Sequence, residues 1–248
     1  MIHPDYLAHS AFISTIPSLV AQGEGTVLHD GRNRVVLLEH QGQPMVVKRF
    51  KRVNWIQRIA YTLWRPTKAK RAYLYAAELR SRGIRTPHEI AYLEESSHGF
   101  FHTGWFICEQ CTWPQAFPLL FEPQEFHKPL AAAVARHIAF LHQQGVEFGD
   151  LNLRNFLYHP DGEGSYEFSL VDTNRSHFHN GELPFELCMQ NLHTLTHRRD
   201  LFQYILEQYA AARNLDPQRV TQAGMHYLDA FEQRIERKKK FKRIFQKS

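Results

Sequence analysis

The stretch Val146 to Asn155 reads Val-Glu-Phe-Gly-Asp-Leu-Asn-Leu-Arg-Asn, and the apolar run Phe168 to Asp172 that follows it reads Phe-Ser-Leu-Val-Asp. Asn155 comes five positions after Asp150, and Asp172 comes seventeen positions after Asn155. Two strand-like runs, residues 156–158 and 166–171, lie between Asn155 and Asp172. The spacing of these three polar residues around a predicted hairpin decides how we interpret the rest of the chain.

An Asp followed five positions later by Asn, with a second Asp after a strand, is typical of enzymes that transfer a phosphoryl group from ATP. In such sites the first Asp orients the acceptor hydroxyl, and the Asn and the second Asp hold magnesium on the phosphates. We therefore predict that Asp150 is catalytic and that Asn155 and Asp172 bind Mg²⁺, which prefers oxygen ligands. Arg154 is predicted to neutralise charge on the transferred group.

The segments before this stretch read as a small sheet and one helix. Asp30 to Asn33 and Gln41 to Pro44 are turn signals, and Gly83 is a helix stop signal. The predicted elements are strands over Thr26–His29, Arg34–His40, Met45–Phe50, Glu89–Glu94 and Gly104–Glu109, and a helix over Lys68–Arg82. Lys48, on the third strand, is predicted to bind the inner phosphates of the nucleotide.

The second half of the chain is predicted to be mainly helical, with helices over Pro129–Gln144, Leu192–Asn214 and Pro217–Arg237. Strands followed by helices indicate an α+β chain. We predict a protein-kinase-like two-lobe fold, in which residues 1–110 form an N-terminal lobe with a small antiparallel β-sheet and one helix. Residues 111–248 form a helical C-terminal lobe that carries the catalytic and metal loops. The site is expected where the halves meet.

Composition narrows the class of protein. The 248 residues are 43% hydrophobic and 22% charged, which is typical of a folded globular chain. Three cysteines do not form a disulfide framework, and no secretory signal or membrane-spanning run is recognisable, so we expect a cytoplasmic protein.

The excess of positive charge is concentrated in two segments. The net charge is +5, and the basic residues cluster in Lys48–Arg71, which includes Trp55 and Trp64, and in Arg234–Lys247. Basic groups with aromatic neighbours suit an anionic membrane surface or nucleic acid, and a solvated helix end is the alternative for the second segment. We expect peripheral contact with the inner face of the cytoplasmic membrane and no specific nucleic acid.

The chain resembles the lipopolysaccharide kinase (Kdo/WaaP) family over roughly Gly25 to Tyr209. The segments that carry the resemblance are Lys48–Phe50, Lys68–Tyr73, Gly83–Pro87, the loop at Asp150 and Val171–Arg175. Members of this family are protein-kinase-like enzymes that use ATP to phosphorylate sugars of the lipopolysaccharide inner core. The resemblance implies the same acceptor here, either Kdo or heptose.

The resemblance also implies roles for single residues. Lys48 binds phosphate, Asp150 is the acid-base residue, and Asn155 and Asp172 bind metal. Glu109 to Cys111 is the hinge whose backbone contacts adenine.

Three features depart from the usual kinase pattern. Phe148 stands where His is usual, and Gly23, Gly25 and Gly31 do not have the spacing of a glycine-rich phosphate loop. Glu78, the acid within the predicted helix, is the candidate partner of Lys48 or else a surface residue. A protein kinase, a kinase-like component of a tRNA-modification assembly, a pseudokinase and a non-catalytic module that binds nucleotide or an anionic polymer therefore stay as alternatives.

Other motifs have weaker functional interpretations. The sequence His-Arg-Arg-Asp at residues 197–200 is similar to the catalytic-loop motif of kinases. Ile205 stands five positions after Asp200, where that motif requires Asn, so we expect a solvated helix face. Cys108 and Cys111 have redox or zinc spacing without a second cysteine pair, which favours structural cysteines. The pairs His177/His179 and His98/His102 are interpreted as surface histidines.

Overall fold

A computed structural model describes residues 1–31, 33–50, 61, 65–162 and 164–245, without the side chains of residues 241–245. The chain forms two compact units. The first contains Met1–Thr112 and Ser169–Arg175, and the second contains Trp113–Phe168 and Ser176–Ser248. Trp55 and Trp64 of the first basic segment, and Lys247 at the end of the second, lie outside the described residues.

The first unit is built on an antiparallel sheet of five strands in the order β1-β2-β3-β5-β4. The strands are β1 (Thr26–Asp30), β2 (Arg34–His40), β3 (Gln43–Arg49), β4 (Glu89–Ser97) and β5 (Phe100–Glu109). The sequence predicts all five but makes β4 and β5 too short. The missed residues lead into a tight turn at His98 and Gly99, where φ is 53° and 77°. Exposed residues at the end of β4 hide the apolar alternation that marks a strand.

The turn between β2 and β3 sets the position of Lys48. Gln41 and Gly42 have φ values of 54° and 77°, as a two-residue type I′ hairpin requires. This turn pairs His40 with Gln43 and places Lys48 opposite Val35. Because side chains alternate along a strand, Lys48 lies on the face opposite to the buried Met45 and Val47 of the same strand.

Helix α1 (Ser10–Gln22) covers the other face of the sheet and is absent from the sequence prediction. Its buried residues Ile13, Ile16 and Val20 are in the same hydrophobic core as strand residues that include Met45, Trp105 and Ile107. Pro17 lies inside the helix, and a proline within a helical pattern normally ends the prediction. Ile13, Ile16 and Val20 are spaced by three and four residues, which is the spacing of one face of a helix and indicates α1 despite Pro17.

Helix α2 (Lys68–Ser81) agrees with the sequence prediction. Thr67 caps its start, since the side-chain oxygen accepts a hydrogen bond from the amide of Lys70 at 3.1 Å. The chain turns away at Gly83, where φ is 75°.

The second unit contains the remaining helices and two small sheets. The helices are α3 (Phe117–Phe121), α4 (Lys128–Gln143), α5 (Phe185–Leu192), α6 (Arg199–Ala212) and α7 (Pro217–Phe245). Strand β6 (Val146–Glu147) pairs with β9 (His177–Phe178), and β7 (Phe156–Pro160) pairs with β8 (Tyr166–Leu170). None of the described helices is both long enough and apolar enough to cross a membrane.

The prediction of one helix over Leu192–Asn214 is wrong, because α5 ends at Leu192 and α6 begins at Arg199. Two threonines bond to backbone between these helices. The Thr194 hydroxyl donates to the carbonyl of Leu151 at 3.0 Å, and the Thr196 oxygen accepts from the amide of Arg198 at 3.2 Å. Local bonding of this kind competes with helical hydrogen bonds and separates the two helices.

Arg198 has a structural role and is the exception to the predicted solvated helix face over His197–Asp200, whose other three residues are exposed. Its guanidinium donates to the carbonyls of Leu120 and Phe121 at 3.3 and 3.2 Å, at the end of α3. It also pairs with Asp200 at 2.9 Å, and the Arg198 side chain is 14% exposed. Hydrogen bonds from Arg198 lower the pKa of Asp200. Arg198 therefore satisfies helix-end carbonyls that have no partner within α3.

Two histidines of α4 link stability to pH. Burial lowers the pKa of both His137 and His142 to about 4. An unfolded histidine titrates near 6.5, so between pH 6.5 and 4 the unfolded chain binds protons that the folded chain does not. The free energy of unfolding is therefore highest above pH 6.5. Between pH 6.5 and 4 it falls by about 1.4 kcal/mol per pH unit for each histidine.

We predict that His137→Leu reduces the dependence of the unfolding free energy on pH by the contribution of one histidine. The variant should be as stable as wild type at pH 7. In the part of the chain that the structure describes, His137 Nε2 is buried without a hydrogen-bond partner. Replacing it with an apolar group therefore removes an unsatisfied atom. Urea unfolding of wild type and variant at pH 7, 6, 5 and 4.5 measures the difference. Equal slopes for the two proteins would contradict the prediction.

Candidate active site

Lys48 and Asp172, predicted to act on the same nucleotide, are in contact in the first unit. The Lys48 Nζ lies 2.8 Å from the Asp172 Oδ1, with the side chains 18% and 33% exposed. The ammonium also lies 5.5 Å from the centre of the Phe50 ring. An ion pair that is partly shielded from water, yet still reachable, is suited to binding a charged ligand.

The segment that carries Asp172 is fixed to the first unit by backbone contacts. The amide of Leu170 donates to the carbonyl of Arg85 at 3.0 Å, and the hydroxyl of Thr86 donates to the carbonyl of Leu170 at 2.7 Å. Asp172 itself has a φ of 60°, in the left-handed region. The Asn174 amide donates to Asp172 Oδ1 at 2.5 Å and holds the carboxylate in place.

The predicted catalytic residue Asp150 lies in a hydrogen-bonded loop of the second unit. The Asn155 side chain donates from Nδ2 to the carbonyl of Asp150 at 2.8 Å, and the amide of Asn155 donates to the carbonyl of Asn152 at 3.0 Å. Asn152 Nδ2 lies 3.3 Å from Asp150 Oδ1. Asp150 and Asn155 are half-buried, whereas Leu151 and Leu153 between them are buried. The loop is thus anchored by apolar side chains and presents its polar ones.

The oxygen chemistry of these residues fits Mg²⁺. Because Asn155 Nδ2 donates to the carbonyl of Asp150, its amide oxygen is the atom that can act as a ligand. Asp172 offers a carboxylate that is one-third exposed. Each residue therefore offers the kind of oxygen ligand that Mg²⁺ prefers.

Side chains from α5 and the turn after it hold the Asp150 loop, and the sequence prediction missed them. The Asn191 amide donates to the carbonyl of Phe148 at 3.0 Å, and its Oδ1 lies 3.1 Å from Nε2 of the buried His142. Thr194 holds the carbonyl of Leu151. Phe148, which stands where His is usual, is 1% exposed and packs as a core residue. The contacts between α5 and this loop form only in the folded chain, so no local sequence pattern indicates them.

Arg154, predicted to act on the transferred group, is exposed and lies over an aromatic ring. Its guanidinium carbon is 3.4 Å from the centre of the Phe117 ring, a cation–π contact within the second unit. Its amide donates to Asn152 Oδ1 at 3.0 Å. The side chain of Arg154 is thus held over Phe117, and its backbone is held by Asn152 of the Asp150 loop.

Glu78 is not the partner that the structure gives to Lys48. Its carboxylate pairs with Arg82 one turn along α2, with Oε1 2.8 Å from the arginine Nε, and the Glu78 side chain is 42% exposed. This spacing of four residues is a typical surface pair on a helix. The ion pair of Lys48 is with Asp172 instead.

The predicted hinge begins at the end of β5. Glu109 donates its amide hydrogen to the carbonyl of His88 at 2.9 Å, and its carboxylate accepts from the Tyr6 hydroxyl at 2.6 Å. The carbonyl of Glu109 is therefore the backbone group of this residue that suits a base. Cys111 is half-buried. Burial raises the pKa of the neighbouring Cys108 thiol to about 12, in line with a structural cysteine.

A family model described as "Lipopolysaccharide kinase (Kdo/WaaP) family" matches residues 30–225. This range covers most of the chain and includes Lys48, Asp150, Asn155 and Asp172. No curated protein matches the chain.

Among solved structures, one described as "WaaP in complex with acyl carrier protein" is similar to the chain with a TM-score of 0.61. The identity is 17%, and the match covers 96% of this chain and 98% of the other. At this identity the similarity shows a shared fold, which supports the kinase-like fold that the sequence predicts.

We predict that Asn191→Leu destabilises the second unit and loosens the Asp150 loop. The change leaves the Phe148 carbonyl and a buried ring nitrogen of His142 without the bonds that Asn191 provides, at about 1–3 kcal/mol for each unpaired group. Urea unfolding measures the loss, and amide hydrogen exchange over residues 146–155 should become faster. Asn180→Leu, at an exposed asparagine of the same unit, is the control. Unchanged stability and exchange in Asn191→Leu would contradict the prediction.

Proposed function

The chain belongs to the lipopolysaccharide kinase (Kdo/WaaP) family and is a kinase, and we propose that it uses ATP and Mg²⁺ to phosphorylate a sugar hydroxyl of the lipopolysaccharide inner core, on Kdo or heptose. The observation that carries the proposal is the contact of 2.8 Å between Lys48 and Asp172. A lysine that binds phosphate and an aspartate that binds the phosphate-bound metal must lie close together, because both act on one triphosphate.

Phosphoryl transfer requires positioning and charge neutralisation more than covalent chemistry by the protein. We assign Lys48 to the inner phosphates, and Asn155 and Asp172 to Mg²⁺. When bound, the ion supplies positive charge that offsets the charge on the phosphates. The support for this assignment is the fit of a carboxylate and an oriented amide oxygen to a hard cation.

Asp150 is the proposed acid-base residue. Its carboxylate orients the acceptor hydroxyl and accepts its proton as the phosphoryl group transfers. Arg154 stabilises the negative charge on that group. The hydrogen bonds from Asn152 and Asn155 hold the loop in one conformation, so the carboxylate needs little reorganisation when the acceptor binds.

Adenine is proposed to bind at Glu109 to Cys111. The amide hydrogen of Glu109 is donated within the first unit, so its carbonyl accepts from the base and the backbone of Cys111 supplies the second contact. The half-exposure of Cys111 keeps that backbone reachable, whereas Cys108 is buried.

A sugar is favoured over a peptide as the acceptor. The chain between Asp172 and α5, residues 173–184, is too short for the extended activation segment on which protein kinases bind peptides. Part of it is used in local structure, since residues 173–175 form a 3₁₀ turn and residues 177–178 form β9.

We predict that Asp150→Asn abolishes most transfer of phosphate while nucleotide binding is retained. The amide cannot accept the proton, so kcat should fall by a factor of about 10²–10⁴. Transfer is measured with radiolabelled ATP and isolated lipopolysaccharide core, and hydrolysis of the product shows whether Kdo or heptose carries the label. Asp161→Asn, at an exposed aspartate of the same unit, should retain wild-type activity.

A thermal-shift titration with ATP and Mg²⁺ separates binding from chemistry. Wild type and Asp150→Asn should both gain about 2.7 kcal/mol at a hundredfold excess over Kd. Asp172→Asn should lose the part of the shift that depends on Mg²⁺. Wild-type transfer by Asp150→Asn would refute the mechanism. Binding of nucleotide without any transfer by the wild type would favour a pseudokinase.

We also propose that α7 holds the protein against anionic lipid at the inner face of the cytoplasmic membrane. Arg237 to Lys240 are consecutive, exposed basic residues near the end of this helix. Each such charge near an anionic surface contributes about 1 kcal/mol to binding, and salt screens it.

Lys239→Gln/Lys240→Gln should therefore weaken binding to phosphatidylglycerol vesicles about 30-fold, from about 2 kcal/mol. Lys128→Gln/Arg136→Gln, which removes two exposed charges at α4, is the matched control and should bind as wild type does. Vesicle co-sedimentation at low and high salt measures both. Equal losses in the two double variants would show that net charge alone drives binding.

A further inference from the structure

The N-terminal residues lie along the edge of the first unit's sheet. The amide of His3 donates to the carbonyl of Ile90 at 2.8 Å, and the amide of Tyr92 donates to the carbonyl of Met1 at 3.1 Å. Ile2 forms a bridge with Ala91 between these bonds. This pairing brings His3 beside the residues at the start of β4.

His3, His88 and Glu89 form a cluster of possible metal ligands. One ligand atom from each lies within 4.8 Å of the others, and this is the sole such group among the residues that the structure describes. The His3 and His88 rings have centroids 4.7 Å apart. Both histidines are half-buried, and Glu89 is 1% exposed. The sequence prediction missed this cluster because only the tertiary pairing of residues 1–3 with β4 assembles it.

Only one of the two carboxylate oxygens of Glu89 has a hydrogen-bond partner among the described residues. Its Oε1 accepts from Arg80 at 3.0 Å. Across the described ranges of the chain, its Oε2 is buried without a hydrogen-bond partner. A buried carboxylate oxygen left without water or a donor is costly, so a cation at this position would remove a penalty that the fold otherwise carries.

The hydrogen bonding of His88 is suited to metal binding. Nδ1 of His88 donates a hydrogen bond to the carbonyl of Glu89 at 3.1 Å, which leaves Nε2 with its lone pair. A ring nitrogen bonded to a backbone carbonyl is the usual support of a metal-binding histidine. Nδ1 of His3 accepts a hydrogen bond from the amide of Asp5 at 3.3 Å and therefore carries a lone pair, which a bound metal would take over from that amide.

We propose that His3, His88 and Glu89 bind a divalent transition metal, with Zn²⁺ as the best match. Imidazole ligands favour zinc, whereas Mg²⁺ prefers oxygen, so this site is chemically distinct from the one proposed for the nucleotide. Tetrahedral zinc with bonds of about 2.0–2.1 Å needs ligand atoms roughly 3.4 Å apart. The two partly exposed rings close this gap by rotation, and water takes the fourth position.

The metal has a structural role at the predicted hinge. The carbonyl of His88 accepts from the amide of Glu109, and the Glu109 carboxylate accepts from Tyr6. Zinc therefore ties the N-terminal segment to the strand that supports Glu109. This role does not depend on which acceptor is phosphorylated.

The test is a titration of untagged, metal-free protein with ZnCl₂ by calorimetry, together with the visible absorption of the Co²⁺-substituted protein. Wild type should bind one zinc and show the intense d–d bands of tetrahedral cobalt, and zinc should raise its Tm. His88→Ala and His3→Ala should each weaken binding at least tenfold. His29→Ala, at an exposed histidine of the same unit, should bind as wild type does.

Circular dichroism confirms that each variant is folded, and His3→Ala keeps the test decisive if His88→Ala fails to fold. Zinc binding that is equally strong in wild type, His3→Ala and His88→Ala would overturn the proposal, because other histidines would then hold the ion. Absence of binding at a tenfold molar excess of zinc would also overturn it.

Discussion

The contact between Lys48 and Asp172 is the interaction on which the proposed chemistry depends. The two residues are far apart along the chain, and they meet because residues 169–175 return to the first unit. Two hydrogen bonds at Leu170 fix that return, and Asn174 then orients the carboxylate. An ammonium that is 18% exposed would be costly without a partner, so the pair stabilises the fold and prepares a place for a charged ligand.

Most of the sheet and of the long helices could be predicted from local signals. Gln41 and Gly42 adopt the turn that their sequence indicates, and Gly83 ends α2 as a stop signal should. The failures have physical reasons. Pro17 concealed α1, which is held by packing against the sheet rather than by local propensity. The break after α5 depends on threonine hydroxyls that bond to distant or local backbone, which apolar periodicity does not reveal.

The candidate site divides in the same way. Lys48, Asp150, Asn155 and Asp172 were recognisable because their order and spacing along the chain are distinctive. The roles given to them stay predictions, and the ion pair of Lys48 went to Asp172 rather than to Glu78. The supporting roles of Asn191 and His142 could not be predicted from the sequence, because both residues act through hydrogen bonds to distant parts of the second unit. Sequence spacing thus indicates the groups that are proposed to react, whereas the groups that hold them are visible only in the fold.

The backbone and the side chain of Asp172 have opposite effects on the stability of the fold. With φ at 60°, an aspartate there costs on the order of 1 kcal/mol that glycine would not. Glycine would remove this backbone cost, but it would also remove the carboxylate and leave the shielded Lys48 ammonium without its partner. Melting temperature therefore reports the sum of two opposing effects at this position, and under the proposed role of Asp172 in metal binding a screen of variants there has to measure turnover as well.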